Sequence, residues 1–234
     1  MTTLIACSHG TRFAAGRDTV AGIVAQIAAL LPDVTVLPAF VDVEEPAVAD
    51  VVADAVGRDS GRGAVVVPLL LSRGFHTGVD IVAAVAPHPT VAASAPLGPH
   101  PLLADVLVDR LAEVLADAVG AGWQSGDHVV LAASGSSRPV AGDDVEQMRA
   151  LLAERIPVPV TVGYAAGARP RIADAITAAR DVGATRVIAA SYVLAPGFFA
   201  DLVASAGADL VSAPLGDDPR IAQVAAERFR SVSD

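Results

Sequence analysis

His9, Asp42 and His76 are the residues of this 234-residue chain whose types and places combine into chemistry. Each stands just after a short apolar run: Leu4-Ile5-Ala6-Cys7 before His9, residues 34–40 before Asp42, and the stretch from Val65 to Leu71 before His76. Two imidazoles and a carboxylate form a donor set for a borderline divalent cation such as Fe²⁺, Co²⁺, Ni²⁺ or Zn²⁺, with coordination positions left open. An imidazole also takes up a proton near neutral pH, so the same groups can serve as bases. A single strand-end histidine commonly does no more than bond to loop backbone. Two at matched places argue for a site.

Around these three lie further polar residues. Arg12, Arg17 and Arg73 are candidates for holding the carboxylates of an anionic ligand. Ser8 and Gly10, which flank His9, are placed with them in the substrate-binding set. Asp80 falls one helical turn after His76 and can orient its ring from behind. Glu45, beside Pro46, reads as a helix N-terminal carboxylate, and Glu44 as a residue that helps hand in metal. His88 and His100 belong to Pro-rich turns, and His128 precedes a strand, so none joins the set. The Ser134-Gly135-Ser136-Ser137 turn has no histidine nearby to activate a serine.

The elements that must position these residues are readable from periodicity. Residues 64–71 form an apolar run with almost no polar interruption, the pattern of a strand buried on both faces of a parallel sheet. Strands are expected at 4–7, 34–40, 64–71 and 90–95, alternating with helices at 16–31, 46–56, 77–86 and 102–121. Such alternation predicts a parallel sheet with helices on its faces, and ligands then bind at the carboxyl ends of the strands.

The pattern restarts after the Gly- and polar-rich stretch 120–127, with strands at 129–133, 158–164, 186–194 and 210–213 and helices at 143–156, 170–182, 197–206 and 219–230. Motifs recur in order. Residues 6–12 line up with 132–138, Glu45-Pro46 with Arg169-Pro170, Gly74-Phe75-His76 with Gly197-Phe198-Phe199, and Ala95-Pro96-Leu97-Gly98 with Ala213-Pro214-Leu215-Gly216. The expected architecture is α/β: two similar lobes, each a four-stranded parallel sheet flanked by helices, facing across a cleft. Residues 1–121 would carry the metal site and 127–234 would be a repeat lacking its ligands. Where the first half has His9, Asp42 and His76, the second has Ser134 or Gly135, Ala166 and Phe199.

Composition narrows the classes. The chain is 53% hydrophobic, enough for a substantial core, and its formal net charge of −10 argues against a nucleic-acid partner. The single cysteine, Cys7, lies inside an apolar run and reads as an inert buried thiol. No apolar run approaches the about 20 residues needed to span a bilayer, and the first residues lack a signal peptide's basic start, so the cytoplasm is the expected compartment. A monomer is expected, with a dimer left open.

The ordered motifs resemble those of the class II tetrapyrrole chelatases. His9-Gly10-Thr11-Arg12 is similar to their His-Gly-Ser-Arg start, and Phe40-Val41-Asp42-Val43-Glu44-Glu45-Pro46 to their Phe-Leu-Glu-x-x-Glu-Pro segment. Pro68 through His76 and Asp80 resembles their second metal-binding stretch, and Leu97-Gly98-Pro99-His100-Pro101 their Leu-Gly-x-x-Pro turn. Asp42 stands where the family usually has Glu. The likeness spans nearly the whole chain, as a fused two-half form, and lies nearest the sirohydrochlorin cobalto- and ferrochelatases. It implies ATP-independent insertion of Fe²⁺, Co²⁺ or Ni²⁺ into sirohydrochlorin, in sirohaem or cobalamin biosynthesis. The metal would be substrate, with no organic cofactor. His9 and His76 would hold the ion and one would accept a pyrrole proton, while the arginines bind carboxylates. Two other readings are a metal or tetrapyrrole carrier that does not catalyse, and a His-dependent phosphatase. The latter usually has Arg just before its histidine, where this chain has Ser8.

Overall fold

A computed structural model describes residues 3–58, 63–118 and 122–233, with the Arg58 side chain excepted. It contains two four-stranded sheets, all parallel, with strand orders β2-β1-β3-β4 and β6-β5-β7-β8. The first comprises β1 (Thr3–Ser8), β2 (Thr35–Phe40), β3 (Ala64–Pro68) and β4 (Val91–Ala93). The second comprises β5 (Asp127–Ala133), β6 (Val160–Tyr164), β7 (Arg186–Tyr192) and β8 (Leu210–Val211). The central strands are the ones the sequence marks as continuous apolar runs: β3 and β5 are buried along their whole length. Burial on both faces leaves no place for alternating polar residues.

Helices cover both faces of each sheet. In the first unit, α2 (Val48–Arg58) and α3 (Ile81–Val85) pack Val48, Val52, Ile81 and Ala84 on Ile5, Cys7 and Val66. The opposite face carries α1 (Ala14–Leu30), which packs against α8 (Pro219–Ser233), and α8 also lies on β3. In the second unit, α6 (Ile172–Asp181) and α7 (Phe198–Ala204) cover Val130, Ala132, Val187 and Ala189. There α4 (Pro101–Asp117) and α5 (Pro139–Ala153) take the other face.

The two lobes are present, but they do not part at 120–127. One compact unit runs through Leu97 and resumes at Asp217; the other is Gly98–Gly216. By packing, helix α4 therefore groups with the second unit and α8 with the first, so the compact units differ from the sequence repeats 1–121 and 127–234 by these two helices. The glycine-rich stretch that reads as a linker joins α4 to β5 inside one unit. The true crossings are the two Pro-rich turns, each fastened by an arginine from the helix that completes its unit. Arg228 of α8 donates from Nε to Pro96 O (2.8 Å) and from Nη2 to Leu97 O (3.1 Å). Arg110 of α4 donates from Nη2 to Leu215 O (3.2 Å). Leu97 and Leu215 are fully buried, which pins each turn to its own sheet.

Candidate metal centre

The carboxyl end of the first sheet gathers His9, just past β1, with His76, which opens the segment between β3 and α3. Their ring centroids lie 4.7 Å apart, edge to face at 88°. His76 begins one π-helical turn, His76–Asp80, in which the Ile81 N–H reaches back to His76 O. Single π turns are common at functional sites. This one brings Asp80 Oδ2 to 2.7 Å from His76 Nδ1. His9 Nδ1 lies 3.3 Å from Gly10 O. With each Nδ1 donating to an oxygen, each Nε2 keeps its lone pair for a metal or a proton. Asp80 thus stands behind His76 as an orienting carboxylate.

Cys7 lies behind the same edge. Burial, and after it the charge of Asp80, push its thiol up to about 12, so it remains a protonated, inert core residue.

The loop carrying His9 is built by close approach. Gly10 has φ +87°, and a Cβ there would overlap Asp42 O. Asp42 N–H donates to His9 O at 3.2 Å and Val41 N–H to Ser8 O at 3.0 Å, zipping the two loops together. Glu44 then fastens them: Oε1 accepts the Thr11 N–H at 2.7 Å, and Oε2 lies 3.1 Å from Arg17 Nε. The same Arg17 Nε reaches Thr11 O at 3.0 Å.

Several expected site residues are therefore placed differently from their sequence reading. Asp42 is exposed, and its Oδ1 accepts the adjacent Val43 N–H at 2.8 Å. No group of three His, Cys, Asp or Glu side chains fit to hold a metal is assembled among the described residues. The two imidazoles stand together, while the Asp42 carboxylate is hydrogen-bonded within its own tight turn. Glu44 and Arg17 hold the loop, with the Glu44 side chain largely covered and that of Arg17 half exposed. Ser8 is buried, 3% exposed, and its hydroxyl has no hydrogen-bond partner among the described residues. Arg12 and Arg73 are exposed at the edge.

Three apolar side chains that sequence reasoning passed over also lie at this edge: Phe13, Val43 and Phe75, all more than 40% exposed. Phe75 packs edge to face on His76 at 5.8 Å. Their signal was available, since each immediately adjoins a candidate polar residue, but exposure is not readable from type alone.

The second unit repeats the scaffold bond for bond. Ala165 N–H donates to Ala133 O and Ala166 N–H to Ser134 O, matching the pair that joins the first unit's loops. His9 therefore corresponds to Ser134, Asp42 to Ala166, and Phe13, at the cap of α1, to Arg138 at the cap of α5. The alignment of Arg12 with Arg138 is one residue out.

The parallel α/β scaffold is doubled, and its first copy carries the imidazole pair at the strand-end edge. Residues 3–114 and 128–232 each match the CbiX family model, and the chain belongs to the CbiX family. The chain is similar to the sirohydrochlorin cobaltochelatase of Methanococcoides burtonii, with 29% identity over 126 residues, 48% of this chain and 95% of that protein. Among solved structures it resembles SirB from Bacillus subtilis with Fe³⁺, at TM-score 0.76 and 21% identity, covering 98% of this chain and 94% of that one. It also resembles CbiX, described as the terminal enzyme of siroheme biosynthesis in denitrifying bacteria, at TM-score 0.68 and 21% identity, covering 98% and 99%. At these identities the structural likeness is one of fold.

Proposed function

We propose that this protein inserts a divalent metal ion, Fe²⁺ or Co²⁺ with Ni²⁺ as a third candidate, into sirohydrochlorin. The observation that carries the reading is the imidazole pair, 4.7 Å between centroids, at a strand-end edge of a CbiX-family fold. Two imidazoles bind a cation less completely than the three or four protein ligands of a resident site. That is suitable for an ion that must be handed on. Phe13, Val43 and Phe75 give the same edge the apolar surface that a flat macrocycle covers.

In the reaction the ion replaces two pyrrole N–H protons. Nε2 of His9 and of His76 would present lone pairs to the arriving ion; as the ion leaves them for the ring, one freed Nε2 would accept one pyrrole proton and the second would pass to solvent water. Asp80 keeps Nδ1 of His76 as the donor, so Nε2 stays the reactive nitrogen. We read Asp42 as an auxiliary carboxylate on the tight turn beside His9, and Arg12 and Arg73 as contacts for the ring's acidic side chains. We place the protein in the cytoplasm, working as a monomer without an organic cofactor. It needs neither nucleic acid nor membrane.

The test is the absorbance change of sirohydrochlorin on adding Co²⁺ or Fe²⁺ under anaerobic conditions. Many turnovers per protein are expected; a single stoichiometric change would make it a carrier. His9→Ala and His76→Ala should each abolish most insertion while circular dichroism stays unchanged, because the second unit folds with Ser134 and Phe199 at those places. Phe199→Leu should alter activity far less. Insertion at the wild-type rate in both histidine variants would refute the site.

A further inference from the structure

The carboxyl edge of the second unit is not merely a metal edge with its ligands deleted. At the positions matching Phe13, Glu45 and Ala47 it carries Arg138, Arg169 and Arg171. At those matching His9, Asp42, Glu44, His76 and Asp80 it carries Ser134, Ala166, Ala168, Phe199 and Val203. Every acid and imidazole has gone from these matched places, and three guanidinium groups stand at the edge of a chain with net charge −10.

Topology puts all three at one end of the sheet. Arg138 caps α5 directly after the β5 turn, and Arg169 and Arg171 lie in the loop from β6 to α6. Arg171 Nη1 is tied to Ala165 O at 3.2 Å, which fixes its stem against the strand end and leaves the remaining donor positions of the fork. Arg169 Nη1 meets Asp174 Oδ2 at 3.3 Å, with both side chains more than half exposed, a pair that exchanges cheaply for another carboxylate. Phe198 is 60% exposed at the same end, its ring 5.5 Å from that of Phe199. Guanidinium forks at the same sheet end as the exposed Phe198 and the half-buried Phe199 suit a flat ring with carboxylates on its rim.

We propose that this edge of the second unit is a carboxylate-binding surface that takes the acidic side chains of a polycarboxylate tetrapyrrole, with Arg138, Arg169 and Arg171 as its donors. Only the identity of the ligand rests on the chelatase reading above.

The experiment titrates metal-free sirohydrochlorin onto the full-length protein, so that binding is read without turnover. Arg138→Ala, Arg169→Ala and Arg171→Ala should each weaken binding about two- to fivefold, and the triple variant more than tenfold. The triple variant should also lose part of the salt dependence of binding. Arg180→Ala is the control: Arg180 pairs with Asp209 at the amino end of the same sheet, and its loss should leave the affinity unchanged. Wild-type affinity in the triple variant, or equal weakening by Arg180→Ala, overturns the proposal. Metal insertion by the wild type is measured in parallel. Ring binding that depends on the arginines without any insertion would refute the chelatase reading and leave the edge standing. Insertion with no dependence on the arginines would refute the edge alone.

Discussion

Replacing Asp80 with Ala should separate activity from stability, and the structure gives both magnitudes. His76 and Asp80 are about a third exposed, 30% and 33%, and sit four residues apart on one turn. A pair of that kind contributes about 0.3–0.5 kcal/mol to folding at most, so the thermal midpoint should barely move. Its effect on metal handling is larger. Without Asp80, the 2.7 Å contact that fixes the Nδ1 proton and the ring plane is gone. Loss of a carboxylate behind a metal-binding histidine typically lowers affinity or activity 10- to 100-fold. At 1.36 kcal/mol per decade that is about 1.4–2.7 kcal/mol, several times the folding term. The loss should fall on the dependence of rate on metal concentration, with little change in the KM for sirohydrochlorin. Asp80→Asn, which retains an acceptor oxygen without the charge, should lie between wild type and Ala. The assay is initial-rate Co²⁺ insertion followed by absorbance, beside a thermal melt. Activity of Asp80→Ala within twofold of wild type would refute the orienting role. A large fall in thermal midpoint would show that Asp80 supports the fold instead.

Gly10→Ala should lower the unfolding free energy of the first unit by at least about 1–2 kcal/mol, the cost of a left-handed backbone alone, because φ is +87° there and the added Cβ meets Asp42 O. Denaturant titration measures the fall; a wild-type midpoint would show that the loop opens freely. In the second unit, Asp127 has a fully buried side chain and takes Nε and Nη2 of Arg186 at 2.8 and 2.7 Å. Its burial by itself would raise the carboxyl pKa, but the Arg186 and Gln124 hydrogen bonds outweigh it and hold the value below normal. Stability from this group is therefore full above the unfolded value near pH 4 and is lost as pH falls through the lower folded value. Asp127→Ala should cost about 1.5–3 kcal/mol, the worth of a hydrogen bond to a charged group, with Arg186 left its bond to Gly122 O, and it should flatten the acid limb of a stability–pH curve; an unchanged acid limb would contradict the assignment.

What the sequence made legible was what local pattern controls. The buried strands were continuous apolar runs, and the fourfold spacing of His76 and Asp80 already put them on one helical face. What it hid depends on contacts distant along the chain. Helix α4 follows β4 in sequence but packs on α5 and β7, a pairing that no periodicity reports. The polar stretch at 120–127 reads as a linker between the two sequence repeats, and nothing local in it reports which unit the helix before it packs on. The one-residue slip at Arg138 arose in a Ser- and Gly-rich turn whose short side chains give no anchor. Asp42 was correctly placed at a strand end, but the direction of its carboxylate depends on a turn geometry that residue type does not encode.

That turn differs between the two units in a way that bears on the site. In the second unit it is Ala166-Gly167-Ala168, with Gly167 at φ +66°, a conformation glycine adopts without strain. In the first it is Asp42-Val43-Glu44, with Val43 at φ +61° and the Glu44 N–H donating to Asp42 O at 2.6 Å. A β-branched residue there is strained, and such strain costs about 1–3 kcal/mol unless neighbouring groups over-determine the backbone. Glu44 supplies that constraint through Thr11 and Arg17, and Ala168 has no carboxylate with which to do so. Strain and staple thus occur together, and in the unit whose edge holds the imidazole pair. A turn fixed on both sides sets the loop bearing His9 firmly against the strand end. A site that must offer two imidazole nitrogens to one ion in a fixed relation requires that rigidity of its supporting residues. The Glu44–Arg17 pair thus holds the loop bearing His9, and we propose that this is how Arg17 serves the reaction.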